Sequence, residues 1–117
     1  MASLAMAYDE GLAERIRELC PKATEKAMFG GVGWMERGNL VVGILGDKMG
    51  DGSSLIVRVP PDTTPQVLKE PGVGPMVQGG RTMKGWVVVA ADQVAEDNEL
   101  QAWIERSRKH VATLPKK

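Results

Sequence analysis

Lys26–Leu45 reads KAMFGGVGWMERGNLVVGIL. Lys26 to Phe29 is a short strand candidate. Gly30, Gly31 and Gly33 then loosen the backbone, which predicts a bulge or bend before Val32–Glu36 resumes the strand. Gly38-Asn39 reads as a tight hairpin turn, because both residue types tolerate positive φ. Leu40–Leu45 is the next strand. Connections this short cannot carry a parallel crossover, so the sheet is expected to be antiparallel.

The same reading extends in both directions. Upstream, Tyr8, Leu12, Ile16 and Leu19 fall at spacings of four, four and three, one apolar stripe of a helix from Asp9 to Cys20. Asp9 is its expected N-cap and Pro21 its stop. Downstream, GDKMGDG (Gly46–Gly52) is a flexible loop, and Leu55–Val59 alternates as a strand. Pro60-Pro61 breaks the ladder, and a short helix follows from Asp62 or Thr63 through Lys69. Glu70–Gly80 holds two prolines and four glycines and reads as loop, with room for one short strand. Thr82–Ala90 is the last strand. Asp97 is expected to cap a final helix whose inner face is Leu100, Trp103, Ile104, Ser107 and Val111. The order α-β-β-β-α-β-α predicts an α+β fold, a two-layer antiparallel sheet with helices on one face.

The chain has 117 residues, with fifteen basic and fifteen acidic side chains, 43% hydrophobic and 26% charged. Those values describe one globular domain with enough apolar content for a core. They exclude extensive disorder and give no bulk electrostatic pull toward nucleic acid. No apolar run approaches the ~20 residues of a membrane helix, and Met1–Tyr8 lacks the basic start and long apolar run of a secretory signal. The expected compartment is therefore the cytoplasm, with no membrane partner. One cysteine, Cys20, cannot form an intrachain disulfide; before Pro21 it reads as a small apolar residue at a helix end.

The sequence carries no catalytic or cofactor motif in its expected context. GGVG at Gly30–Gly33 precedes a strand, so a phosphate would meet no helix N-terminus. GGRTMKG at Gly79–Gly85 lacks the Gly-Lys-Ser/Thr triplet of a phosphate loop. Asp47 and Asp51 are too few oxygen ligands for a calcium loop, and one cysteine with one histidine does not make a zinc site. His110 lies in the last turn of the final helix, where the dipole favours a cation. Glu96, Asp97 and Glu99 are explained by capping that helix. The expectation is a non-enzymatic chain with no cofactor and no metal.

Two features stand out. In the last strand Met83, Val87 and Val89 alternate with Lys84, Trp86 and Val88, so both faces carry large apolar groups. Trp34 and Ile44 are expected to join Trp86 on the second face. Either that face is a second internal core, or it is a surface for a partner or a second copy. The other feature is charge. Asp92, Glu96, Asp97 and Glu99 are followed by Arg106, Arg108, Lys109, Lys116 and Lys117, against Glu105 alone. Arg81 and Lys84 lie just upstream. These cations make either a solvated face or a phosphate-contacting patch, without a groove-reading helix or an aromatic run that would support direct DNA reading.

AYDEGLAERIREL, KAMFGGVGWMERGNLVVGI, LIVRV, GGRTMKGWVVV and LQAWIERSRKHV, in that order over about residues 7 to 113, resemble the N-terminal domain of the TfoX (Sxy-type) competence regulators. MFGG (Met28–Gly31) and GR-x-MKGW (Gly80–Trp86) are the most specific pieces, and Trp103 fits as well. The resemblance implies a secretion-chaperone-like α+β fold and a regulatory, non-enzymatic role in bacterial competence and transcription. It implies a protein partner, such as another regulator or the transcription machinery, or self-association. The full regulators carry a second, helical domain, which a chain ending at Lys117 would lack, and GDKMGDGS is longer than the usual connection. Of the shared residues, Met28, Phe29, Gly30, Gly31, Gly80, Gly85 and Trp103 are expected to be structural. Trp86, Trp34, Arg81 and Lys84 are the candidate contact residues. Arg58, Arg81 and Lys84 form the alternative anion- or nucleic-acid-binding set.

Overall fold

A computed structural model describes residues 8–28, 30–46 and 54–116. Helix α1 (Glu10–Leu19) is followed by β1 (Thr24–Met28), β2 (Gly31–Glu36), β3 (Asn39–Ile44) and β4 (Leu55–Arg58). A 3-10 turn at Pro61–Thr63 leads into the single turn α2 (Thr64–Val67). β5 (Val73–Gln78), β6 (Arg81–Val89), a 3-10 turn at Ala91–Val94 and α3 (Asp97–Val111) complete the chain. All strands pair antiparallel in one sheet, order β1-β2-β3-β4-β6-β5. This is the α+β architecture expected, with two more strands than the sequence order counted.

Both extra strands come from glycine segments. Gly30, at φ 70°, turns the chain between Met28 and Gly31, so β1 and β2 are a hairpin and not one bulged strand. Gly31 must lack a side chain: a Cβ there would lie 2.0 Å from the Ile44 carbonyl oxygen. In the segment read as loop, Val73–Gln78 forms edge strand β5, with Pro75 tolerated at an edge. Gly79 and Gly80, both at positive φ, form its tight turn to β6. The β2–β3 turn sits one residue earlier than expected, at Arg37 (φ 55°) and Gly38 (φ 79°). Asn39 is instead buried, donating from Nδ2 to the carbonyls of Arg37 at 3.3 Å and Pro115 at 3.0 Å. Asn39 thereby ties the chain's last residues to the sheet.

The helices cover one face. Leu12, Ala13 and Ile16 of α1 and Leu100, Trp103, Ile104 and Val111 of α3 pack with Val42, Ile44, Leu55, Val57, Val87 and Val89. Asp9 caps α1 by accepting from the Leu12 amide at 3.1 Å. The cap of α3 is Glu96, one residue before the Asp97 expected, with Glu99 accepting from the Glu96 amide at 3.1 Å. Asp97 is free to pair with Arg15 of α1 at 2.8 Å, which docks α1 on the start of α3.

One polar contact fixes α3 on the sheet. Trp34 faces Val42 and Met35 faces Leu40, which leaves Val41 as an extra residue in a bulge. The Val41 carbonyl accepts the buried Ser107 hydroxyl of α3 at 2.6 Å. Ser107 therefore belongs to the inner face that helix periodicity assigned it.

Candidate functional site on the bare face of the sheet

Among the described residues, no helix packs on the opposite face. Leu45, Ile56 and Met76 are buried there, with Met83, Trp86 and Val88 half-buried around them. Strand parity places Trp86 and Val88 on this face, because Val87 and Val89 point into the helix-side core. Met83 departs from the expected alternation and joins Trp86. The cause is a bulge: Val77 faces Thr82 whereas Pro75 faces Val87, so β6 accommodates extra residues around Gly85. Gly85 sits at φ 92°. Its amide donates to Thr64 Oγ1 at 3.0 Å, and its carbonyl accepts from the Val59 amide at 2.9 Å. A left-handed residue clamped against the Pro60-Pro61 turn explains why glycine stands before Trp86.

Trp34 corrects the sequence reading. It is 1% exposed and belongs to the helix-side core with Ile44, not to the face of Trp86. Gly33 and Gly43 take the bare-face positions opposite each other, so their neighbours Trp34, Val42 and Ile44 point the other way. Trp34 is accordingly not a surface contact residue. Trp103 is buried on α3 with the Arg106 guanidinium 4.1 Å from its ring centroid, and Arg106 holds Glu70 through two hydrogen bonds of 2.9 and 2.7 Å. Met28 is half-buried beside Gly33, where a Cβ would approach its Sδ to 2.7 Å. Phe29 and the loop Asp47–Ser53 lie outside the described residues.

Arg58 is the cross-strand partner of Trp86, and its guanidinium carbon lies 5.0 Å from the Trp86 ring centroid. Such a cation over an indole is stabilised by the ring quadrupole. Arg58 is half-buried, and burial pulls its guanidinium below the ordinary arginine value. Arg81 and Lys84 are exposed, Arg81 at the Gly79-Gly80 turn and Lys84 beside the bulge. Among the described residues, none of these three forms an ion pair with a carboxylate.

Arginines elsewhere are engaged. Arg15 pairs with Asp97, Arg17 with Glu25 and Glu10, Arg106 with Glu70, and Arg108 with Glu36 at 2.9 Å. Arg37 donates to the Ala112 carbonyl at the end of α3. A groove of about 530 Å³ near the β2–β3 turn is lined by Lys22, Lys26, Arg37 and Arg108, with Glu36 among them. Two of its four cations are thus already committed.

A second feature of the bare face was invisible in the sequence. Leu45, Gly74, Met76, Val77, Val88 and Ala90, with Ser54 as the polar side chain, line a cavity of about 370 Å³. Val77 is 50% exposed at its rim. This cavity exists because Val73–Gln78 is a strand beside β6; proline and glycine in that segment masked the only signal, its valine and methionine.

Cys20 is buried, and burial pushes its thiol up to about 11, the opposite of what a nucleophile needs. His110 is half-buried at the end of α3. Burial and then the charge of Arg58 hold its imidazole below the ordinary value, against the cation that the helix dipole alone would favour. No helix among the described residues is long and apolar enough to cross a membrane.

A family model described as the TfoX N-terminal domain matches residues 14–111, which span most of α1 through the end of α3. The chain belongs to the TfoX N-terminal domain family. Both motifs of the resemblance lie inside the match: Met28, Gly30 and Gly31 of MFGG flank and form the β1–β2 turn, and GR-x-MKGW builds the β5–β6 turn, the bulge and Trp86. In fold, this TfoX domain is similar to a crystal structure of a protein from Pseudomonas syringae, with a TM-score of 0.56 at 14% identity, over 80% of this chain and 93% of that one. No curated protein matches the chain.

Proposed function

We propose that this TfoX domain is a non-enzymatic docking module of the bacterial cytoplasm, working through protein contacts in transcriptional regulation of the competence type. One observation carries the reading. Among the described residues, Arg58 lies over half-buried Trp86 on the sheet face away from the helices without a carboxylate partner, whereas Arg15, Arg17, Arg106 and Arg108 are all ion-paired. A desolvated arginine on an aromatic ring is costly to leave unpaired, and tryptophan and arginine are both enriched among the residues that carry binding energy at protein interfaces. The test is affinity capture from the native cell with the chain and its Trp86→Ala variant. A regulator or transcription component that is retained by the chain and lost with Trp86→Ala supports the reading. Capture indifferent to Trp86, or turnover of a substrate by the purified chain, overturns it. Light scattering on the same samples separates a partner from a second copy.

The alternative reading is an anion- or nucleic-acid-binding module using Arg58, Arg81 and Lys84, favoured by the lack of carboxylate ion pairs to them among the described residues. It requires an oligonucleotide complex at low salt that weakens steeply as salt rises. A mobility shift that is absent at low salt disposes of it.

A further inference from the structure

The uncovered face has two unlike ends. On β6, Trp86 lies under Arg58 with Lys84 two residues before it, and Val88 and Ala90 lead into the 370 Å³ cavity. Along a strand, Val88 is ~7 Å and Ala90 ~13 Å from Trp86 at ~3.3 Å per residue. Among the described residues, Arg58 therefore stands at one end without a carboxylate ion pair, with exposed Lys84 in the bulge beside it, and a mostly apolar opening lies at the other. The opening has Met76 in its wall and Met83 beside Trp86, and methionines adapt to varied apolar side chains.

We propose that the segment received by this face belongs to a partner protein and is acidic-apolar: one large apolar side chain enters the Leu45/Met76/Val88 cavity, and carboxylates two to four residues away lie against Arg58 and Lys84. This deepens the docking reading above and rests on it. Charge complementarity selects an acidic occupant over a basic one. The aliphatic cavity selects a protein segment over a nucleic acid, which would need repeated cations and stacking rings. Arg58, already stacked and partly desolvated, loses little on receiving a carboxylate, so the acidic end contributes specificity as well as attraction.

Gly74 supplies the decisive variant. A Cβ added there meets nothing within 4 Å, its φ is not in the left-handed region, and it lines the cavity. Gly74→Leu therefore fills the opening from the edge strand without disturbing the core. Lys84→Glu reverses charge at an exposed, unpaired position and leaves Trp86 and its arginine in place.

The experiment is selection of a displayed random peptide library against the full chain, followed by titration of the enriched peptides. Trp86 emission reports binding, since Trp34 and Trp103 are 1% and 8% exposed. The expected result is enrichment of peptides with a large apolar residue two to four positions from Asp or Glu. Binding should be lost in Gly74→Leu and weakened ~10-fold or more in Lys84→Glu, with circular dichroism and Tm unchanged in both. Enriched peptides that are neutral or basic overturn the proposal, as do peptides that bind Gly74→Leu undiminished, an absence of enrichment, or an oligonucleotide that outcompetes the peptides at Trp86. The two readings fail separately. If native-cell capture still depends on Trp86 while the peptide result is negative, docking stands and the acidic-apolar occupant falls. If capture is also indifferent to Trp86, the docking reading falls with it.

Discussion

The two faces of this sheet draw on the same residue types and end in opposite states. Against the helices, Val42, Ile44, Leu55, Val57, Val87 and Val89 are sealed beneath α1 and α3, and the arginines around that layer hold carboxylates. On the bare face, Trp86, Met83 and Val88 remain half-buried, and among the described residues Arg58 stacks on an indole and holds no carboxylate. β-branched alternation builds both faces equally well; coverage separates them. A residue's energetic weight should therefore follow the face and not the residue type. The two tryptophans give the largest test. Trp34→Ala removes a side chain from a closed core and should cost ~3–5 kcal/mol. Trp86→Ala removes one that is already part-solvated and should cost well under half of that. Urea denaturation measures both, and equal losses would mean that the bare face is a second core.

Ser107 tests how the closed face is pinned. Its hydroxyl is buried and donates at 2.6 Å to the Val41 carbonyl that the β3 bulge leaves over. Ser107→Ala leaves that carbonyl desolvated without a donor, a loss of ~1–3 kcal/mol. In hydrogen exchange, the protection of α3 should fall more than that of β5 and β6. Equal loss throughout would show that the bulge contact is not what seats the helix.

Gly85 carries the comparison to the bare face. At φ 92°, with Pro61 Cγ 3.4 Å from the site of an added Cβ, Gly85→Ala forces a strained backbone and should cost ~1–2 kcal/mol. The bulge places Met83 and Trp86 on one side, so the variant should also shift Trp86 emission. Stability lost without a spectral change would separate the bulge from the positioning of Trp86.

These residues also show what could be read from sequence. Helix periodicity located α1 and every buried residue of α3, Ser107 included, because a 3.6-residue stripe survives any local exception. Apolar runs mark β3 and β6, and alternation marks β4. What failed was parity. Alternation assigns faces only while the ladder is regular, and the bulges at Val41 and Gly85 each reset it. Met83 was therefore given to the wrong face, and no bulge can be seen from residue types alone. Trp34 was misassigned because nothing in the sequence fixes which face of a hairpin meets the helices. β5 reads as loop with room for a short strand, because Pro75, Gly72 and Gly74 outweigh three apolar residues in any propensity reading. Half of the candidate site was consequently legible: Arg58, Arg81, Lys84 and Trp86 were named from residue chemistry, while the cavity beside them depended on a strand that reads as loop.

The smallest effect is electrostatic, and it divides the two faces by pH. Arg106 holds the Glu70 carboxyl below the usual carboxylate range through its hydrogen bonds, and Arg17 does the same to Glu25. A carboxylate lowered in the folded state stabilises it above the unfolded value of ~4.3 and loses that contribution as pH falls below it. His110, also lowered, acts in the same direction one step earlier: its folded state favours the neutral ring, so stability declines as pH falls below ~6.5. Glu70 and Arg106 side chains are 40% and 41% exposed, so solvent screening limits their pair to under ~1 kcal/mol. Calorimetric Tm measured against pH should show a shallow decline below neutrality and a further one in the acid range. Glu70→Gln should flatten the acid limb, and His110→Gln the first. Arg81→Gln, on a face whose cations hold no carboxylate, should leave both limbs unchanged. An acid limb that moved with Arg81 would reveal a carboxylate partner for the bare face within this chain, and the contrast between paired and unpaired cations would no longer hold.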